Sequence, residues 1–190
     1  MASYNTSEFR KGLKVIIDNE PYLMVDMEFM KPGKGQAVYR TRLKNMVRGN
    51  VIDRNYRSGD SIDAAEVEEH TVQYLYNDSR NWFFMNAESF EQYSIEKDYL
   101  GDVYKWLKDG TTVEVTFWDG KPIGVEAPKN VELKIEYTEP AARGNTATNV
   151  QKPAKLETGA EVFVPAFINI GDVVKINTQT GEYLERVSKS

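Results

Sequence analysis

One stretch of this chain repeats another at a constant offset of 61 residues, and that restricts the available folds more than any other feature. Val72, Tyr74 and Tyr76 map onto Leu133, Ile135 and Tyr137. Without a gap, Gly110, Val113, Val115, Gly120 and Ile123 map onto Gly171, Val174, Ile176, Gly181 and Leu184. The apolar positions alternate with a period of two, as strands do when one face is buried, and turn glycines fall at the same places in both copies. Two copies of one small β-barrel follow one another, each about sixty residues long.

In the first copy a strand beginning near Glu66 is followed by the apolar run Asn81 to Met85. Ser94 then reads as a helix N-cap with Glu96 in the first turn, and Ile95, Tyr99, Leu100, Val103, Trp106 and Leu107 recur at helical spacing before Gly110. This stripe predicts one helix packed against the barrel. Thr111 to Trp118 alternates again, and Asp119-Gly120 signals a tight hairpin. Five-stranded barrels of this size, one with a helix between strands, resemble OB-folds, which often bind RNA or DNA. Residues before the repeat differ. Leu13 to Ile17 and Tyr22 to Phe29 read as strands joined by the turn pair Asp18-Asn19, the chain returns through Ala37 to Leu43, and Gly49-Asn50 and Ser58-Gly59-Asp60 mark further turns. That pattern suggests a small antiparallel SH3-like barrel. The expectation is an all-β protein of three small barrels in a row: an SH3-like barrel over 1–64, then OB-fold barrels over 65–127 and 128–190.

The net charge of -5 argues against nucleic acid only as an average. Residues 30–57 carry eight basic side chains against Asp53 alone, whereas residues 58–139 carry 18 acids and 7 bases. On the return strand Arg40, Arg42 and Lys44 share one face and Tyr39, Thr41 and Leu43 the other, so one face is cationic and the other is suited to burial. A positive module joined to a negative one can set one side on phosphate; the alternative is a set of solvated faces. There is no cysteine, no apolar run of membrane-spanning length and no signal-peptide pattern at the N-terminus, so a cytoplasmic protein without disulfides or membrane association is expected.

The chemistry of an enzyme is missing. No cysteine nucleophile exists, the lone His70 lies between Glu69 and Thr71 in a strand, and no cluster has metal-ligand spacing. Gly33-Lys34 is not a P-loop, because Gly35 stands where a Ser or Thr would coordinate magnesium. What remains is the loop Lys31-Pro32-Gly33-Lys34-Gly35-Gln36-Ala37. Pro32 sets φ at the second position of a turn, Gly33 suits the positive φ of a type II turn, and Gly35 adds freedom on the far side. Lys34 is thereby presented at a hairpin tip among residues without bulk, although any surface hairpin can carry a lysine.

This loop, followed by the basic strand to Arg48, resembles the first domain of the bacterial elongation factor P family. Independently, Lys155-Leu156-Glu157-Thr158-Gly159-Ala160 through Val164-Pro165, Phe167 and Ile170-Gly171 to Thr180-Gly181-Glu182-Tyr183-Leu184-Glu185-Arg186-Val187 is similar to that family's third-domain signature. The resemblance covers essentially the whole chain. It implies a non-enzymatic, monomeric translation factor, L-shaped like tRNA, that binds rRNA and peptidyl-tRNA on the ribosome when synthesis stalls at consecutive prolines. It also implies that Lys34 carries a covalent extension, of the β-lysyl type by the company of Pro32 and Gln36, added by enzymes related to lysyl-tRNA synthetase. No other cofactor and no metal is implied. Tyr183 and Arg186 match positions associated with tRNA contact, by stacking and phosphate pairing. Gly144-Asn145-Thr146 matches a loop that approaches the exit-site codon, with Asn145 and Asn149 departing from the commoner Asp and Gly.

Overall fold

The computed structural model describes residues 2–141 and 150–190. Strands β1 (Ser3–Asn5), β2 (Lys14–Ile17), β3 (Glu20–Met30), β4 (Val38–Asn45), β5 (Val51–Arg57) and β6 (Ser61–Ala64) form one sheet in the order β1-β6-β2-β3-β4-β5. Asp18 and Asn19 link β2 to β3 with φ of 51° and 64°, the left-handed pair a two-residue hairpin requires. Alternation buries Val15 and Ile17 of β2 and Leu43 of β4, and with Phe9, Leu13, Tyr22, Met24 and Ile62 these make the core.

The second sheet contains β7 (Val67–Asn77), β8 (Asn81–Asn86), β9 (Gln92–Glu96), β10 (Thr112–Trp118) and β11 (Lys121–Glu126) in the order β11-β10-β7-β8-β9. The third contains β12 (Asn130–Thr138), β13 (Gln151–Leu156), β14 (Glu161–Pro165), β15 (Val173–Asn177) and β16 (Tyr183–Ser188) in the order β14-β13-β12-β15-β16. Both therefore put the first strand in the middle, with the second and third on one side and the fourth and fifth on the other. The expected repeat extends to backbone detail. Register slips between Tyr74 and Tyr76 and, 61 residues on, between Ile135 and Tyr137, turning Tyr76 and Tyr137 to solvent while Val72, Tyr74, Leu133 and Ile135 stay buried. The Gly110 N–H donates to Tyr74 O at 3.0 Å, and the Gly171 N–H to Ile135 O at 2.9 Å. The protein is all-β with a multi-barrel arrangement, as its sequence pattern predicts.

Within this frame the expected single helix over Ser94 to Leu107 is wrong. Ser94 and Ile95 belong to β9, paired with Phe83 and Trp82, so their backbone groups are committed to a ladder. One α-turn, α1 (Lys97–Leu100), follows and stops at Gly101, whose φ of 55° and ψ of -129° no helix can continue. A separate 3-10 turn, Val103–Trp106, completes the connection. The apolar spacing arose because Ile95, Leu100, Trp106 and Leu107 are each buried by different elements. Trp106 packs among Leu133, Ile135, Leu156, Val174 and Ile176, so it fills the core of the third sheet rather than its own.

The chain divides into two compact units, Met1–Glu69 with Thr116–Gly124, and His70–Val115 with Val125–Ser190. The hairpin around Asp119-Gly120 thus belongs to the first unit, although its strands extend the second sheet. No helix among the described residues is long and apolar enough to cross a membrane.

Candidate RNA-facing loop and cationic surface

β3 and β4 form the longest hairpin of the first unit, paired from Tyr22↔Asn45 to Met30↔Val38. At its end Lys31 to Gln36 are all exposed. The loop is anchored at its base, where the Ser58 N–H donates to Ala37 O at 3.2 Å and the Phe29 ring lies 5.0 Å from Tyr39. Gly35 rather than Gly33 takes the left-handed backbone, at φ 114°, and a Cβ there would lie 3.9 Å from Pro32 Cγ. The expected type II turn at Pro32-Gly33 is therefore replaced by a reversal one residue beyond Lys34. The outcome for the lysine is the same: it has no ion pair or hydrogen bond among the described residues, and two glycines flank it. Beneath the loop Met30, Lys31, Pro32, Val38, Arg40 and Asn55 line an open groove of about 460 Å³.

β4 alternates as expected. Arg40, Arg42 and Lys44 are exposed while Thr41, Leu43 and Asn45 are buried. The Thr41 hydroxyl donates to Arg54 O at 2.8 Å, and Asn45 Nδ2 to Glu20 at 2.6 Å, so the inward polar groups are satisfied. What the local charge count hides is the adjoining strand. Arg40 stands opposite Glu28 and Arg42 opposite Asp26, and across β5 Arg42 meets Asp53. Arg42 Nε donates to Asp53 at 3.1 Å, and this bond and the carboxylate charge raise the arginine's pKa further. Arg48 pairs with Glu20 at 2.6 Å and Arg54 with Asp18 at 3.3 Å. Lys31, Lys34, Arg40, Lys44 and Arg57 have no ion pair among the described residues, and these are the cations left for an outside anion.

In the third sheet Tyr183 pairs with Ile176 and Arg186 with Val174. Tyr183 is half-buried against the core, and burial pushes its hydroxyl pKa up while Arg186 pulls it back. The Arg186 guanidinium lies 5.0 Å from the Phe167 ring and 3.7 Å from the carboxylate of Asp172. Asp172 is buried and also accepts the Asn169 N–H at 2.9 Å and the Ser190 N–H at 2.8 Å. Burial alone would raise its pKa, but those two donors and Arg186 outweigh it and hold the carboxyl below the ordinary range. Sequence marks Phe167 only as part of the third-domain signature and does not mark Asp172; the usable signal is their position in the repeat, where the first copy has Trp106 and Thr111. Gly144, Asn145 and Thr146, with Asn149, lie outside the described residues. No group of three or more His, Cys, Asp or Glu side chains among the described residues could hold a metal ion.

Three family profiles match the chain in succession: an elongation factor P KOW-like domain at residues 5–62, an elongation factor P OB domain at 67–125, and an elongation factor P C-terminal domain at 131–186. A protein of Rhodopirellula baltica described as elongation factor P is 52% identical over 188 residues, covering 99% of this chain and 96% of that one. Among solved structures, eukaryotic translation initiation factor 5A from Methanococcus jannaschii matches with a TM-score of 0.53 at 20% identity over 65% of this chain and 95% of its own. A translation initiation factor 5A family protein of Naegleria fowleri matches with a TM-score of 0.52 at 15% identity, over 66% and 97%. These two likenesses concern the fold.

Proposed function

Because this chain belongs to the elongation factor P family, and is therefore a non-enzymatic translation factor, we propose that it relieves ribosomes stalled at consecutive prolines by ordering the acceptor end of peptidyl-tRNA through a modified Lys34. The observation that carries this reading is the isolation of Lys34: an exposed primary amine at the end of an eleven-residue strand, between two glycines, with no partner among the described residues. An ammonium on a four-carbon stem is short. A β-lysyl extension, added by enzymes related to lysyl-tRNA synthetase, lengthens its reach and adds donors, and flanking glycines keep the tip narrow enough for a ribosomal tunnel. Lys31, Pro32 and Gln36 support the loop. The prolyl nitrogen is slow to react because the ring restricts its approach. Fixing the tRNA end in a productive geometry lowers the entropic part of that barrier without an acid or base, while the acyl transfer stays with the ribosome.

The remaining contacts follow from charge. Arg40 and Lys44 carry the phosphate-facing role of β4, with Arg42 shared between RNA and Asp53. Tyr183 and Arg186 meet the tRNA by stacking and phosphate pairing, and Gly144, Asn145 and Thr146 approach the exit-site codon. The factor works in the cytoplasm as a monomer of three domains, at residues 1–64, 65–127 and 128–190. The experiment is a reporter carrying a run of prolines, read in cells lacking the endogenous factor. Wild-type chain should restore its output and Lys34→Ala should not, at equal protein level and melting temperature; full rescue by Lys34→Ala refutes the proposal.

A further inference from the structure

The second and third sheets share one backbone frame with different side chains at three matched positions. The Leu107 N–H reaches Tyr104 O at 3.4 Å where the Ile168 N–H reaches Pro165 O at 3.1 Å, and the Thr111 N–H reaches Lys108 O at 2.9 Å where the Asp172 N–H reaches Asn169 O at 3.1 Å. Backbone equivalence across this connection makes Trp106 the counterpart of Phe167 and Thr111 that of Asp172, and at the same offset Val125 stands for Arg186. In the first copy the aromatic ring is consumed by packing, since Trp106 is buried in the third sheet's core. In the second copy the ring at this position is 55% exposed, and a guanidinium lies over it.

The buried carboxylate below explains how that guanidinium is held. Asp172 spends one oxygen on the Ser190 N–H and the other on the Asn169 N–H, and the latter oxygen also faces Arg186 Nη1 at 3.7 Å. The neighbouring carboxylate of Glu185 is occupied by Lys175 at 3.2 Å. A guanidinium has five N–H donors in a rigid plane, and with its inner edge toward Asp172 and its face on Phe167 its outer donors have no partner among the described residues. The Arg186 side chain is 25% exposed, consistent with one open edge.

We propose that Asp172 and Phe167 are positioning residues for Arg186, fixing its inner edge and its plane so that the outer N–H groups meet an RNA phosphate. This rests on Arg186 being an RNA contact, and the experiment separates the two ideas. Affinity of the full chain for ribosomes bearing peptidyl-prolyl-tRNA is measured across a salt series. Arg186→Ala should weaken binding about tenfold and reduce the slope of log affinity against log salt by about one. Asp172→Asn and Phe167→Leu should each weaken binding roughly threefold, and neither should add anything in the Arg186→Ala background. Full additivity, or single variants that bind like wild type while Arg186→Ala is weakened, overturns the positioning role and leaves the Arg186 contact standing. An Arg186→Ala variant with unchanged affinity and slope overturns both. If Asp172→Asn does not fold, Phe167→Leu at its exposed site decides alone.

Discussion

Lys34 stands at a loop tip with no partner among the described residues, whereas Arg186 lies over Phe167 at 5.0 Å with its guanidinium 3.7 Å from a buried carboxylate. Both are cations read as meeting RNA, and the fold prepares them in opposite ways. A fixed guanidinium loses little rotamer freedom on binding, which suits a phosphate at a set place. A free lysine loses more, but it can enter an enzyme's active site, receive an extension and then a second binding site. On the proposed reading, the difference teaches that a lack of local contacts suits Lys34 to be extended, while at Arg186 the contacts hold the side chain for its partner.

The sharpest way to break this contrast is at the loop. Lys34→Arg keeps the charge and removes the primary amine, so proline-run rescue should fall as far as in Lys34→Ala with no change in thermal stability. Rescue near wild type would make Lys34 an ordinary cation like Arg186. The largest expected stability effect lies instead in the first copy: Trp106→Ala should destabilise the protein by about 3 kcal/mol or more, seen as a lower denaturant midpoint, because it leaves a ring-sized void in the third sheet's core.

These two sites also mark how far the sequence could be read. The β4 alternation, the Asp18-Asn19 turn and the offset between copies were legible because each depends on neighbours within a few residues or on comparing the chain with itself. The helix over Ser94 to Leu107 was misread because strand pairing of Ser94 and Ile95 with β8 is non-local, and because Gly101 interrupts a periodicity that burial by separate elements had imitated. The charge count over β4 overstates its cationic face for a similar reason: Asp26 and Glu28 lie before the counted stretch and stand opposite Arg42 and Arg40 only through sheet register. The exposure of Lys34 is legible from its glycine-flanked loop, whereas Asp172 is a single acid whose partners come from three separate positions, Asn169, Arg186 and Ser190.

Smaller effects refine the comparison. Gly171→Ala places a Cβ 2.7 Å from the Ser190 side chain at φ 90°, whereas Gly110→Ala at φ 87° meets only Gln73 at 3.7 Å. Each substitution incurs the left-handed backbone cost of about 1 kcal/mol, and Gly171→Ala should cost measurably more in chemical denaturation because the chain at Ser190 must shift. Arg40→Ala should flatten the salt dependence of ribosome binding more than Arg42→Ala, because Arg42 Nε already donates to Asp53 and its charge is partly offset. The acid limb of stability should also respond. Asp172 has a folded pKa below its unfolded value of about 3.9. It therefore contributes stability above that value and loses it as pH falls through the lower folded pKa. Asp172→Asn should make acid unfolding below about pH 4 less steep, whereas Thr111→Val, at the matched position of the first copy, should leave that slope unchanged.

Covalent extension of Lys34 is tested most directly by peptide mass spectrometry of the protein isolated from the cells that naturally make it. An added mass confined to the peptide containing Lys34, absent from Lys31 and Lys44, is the predicted result. Active protein whose Lys34 is unmodified would contradict it.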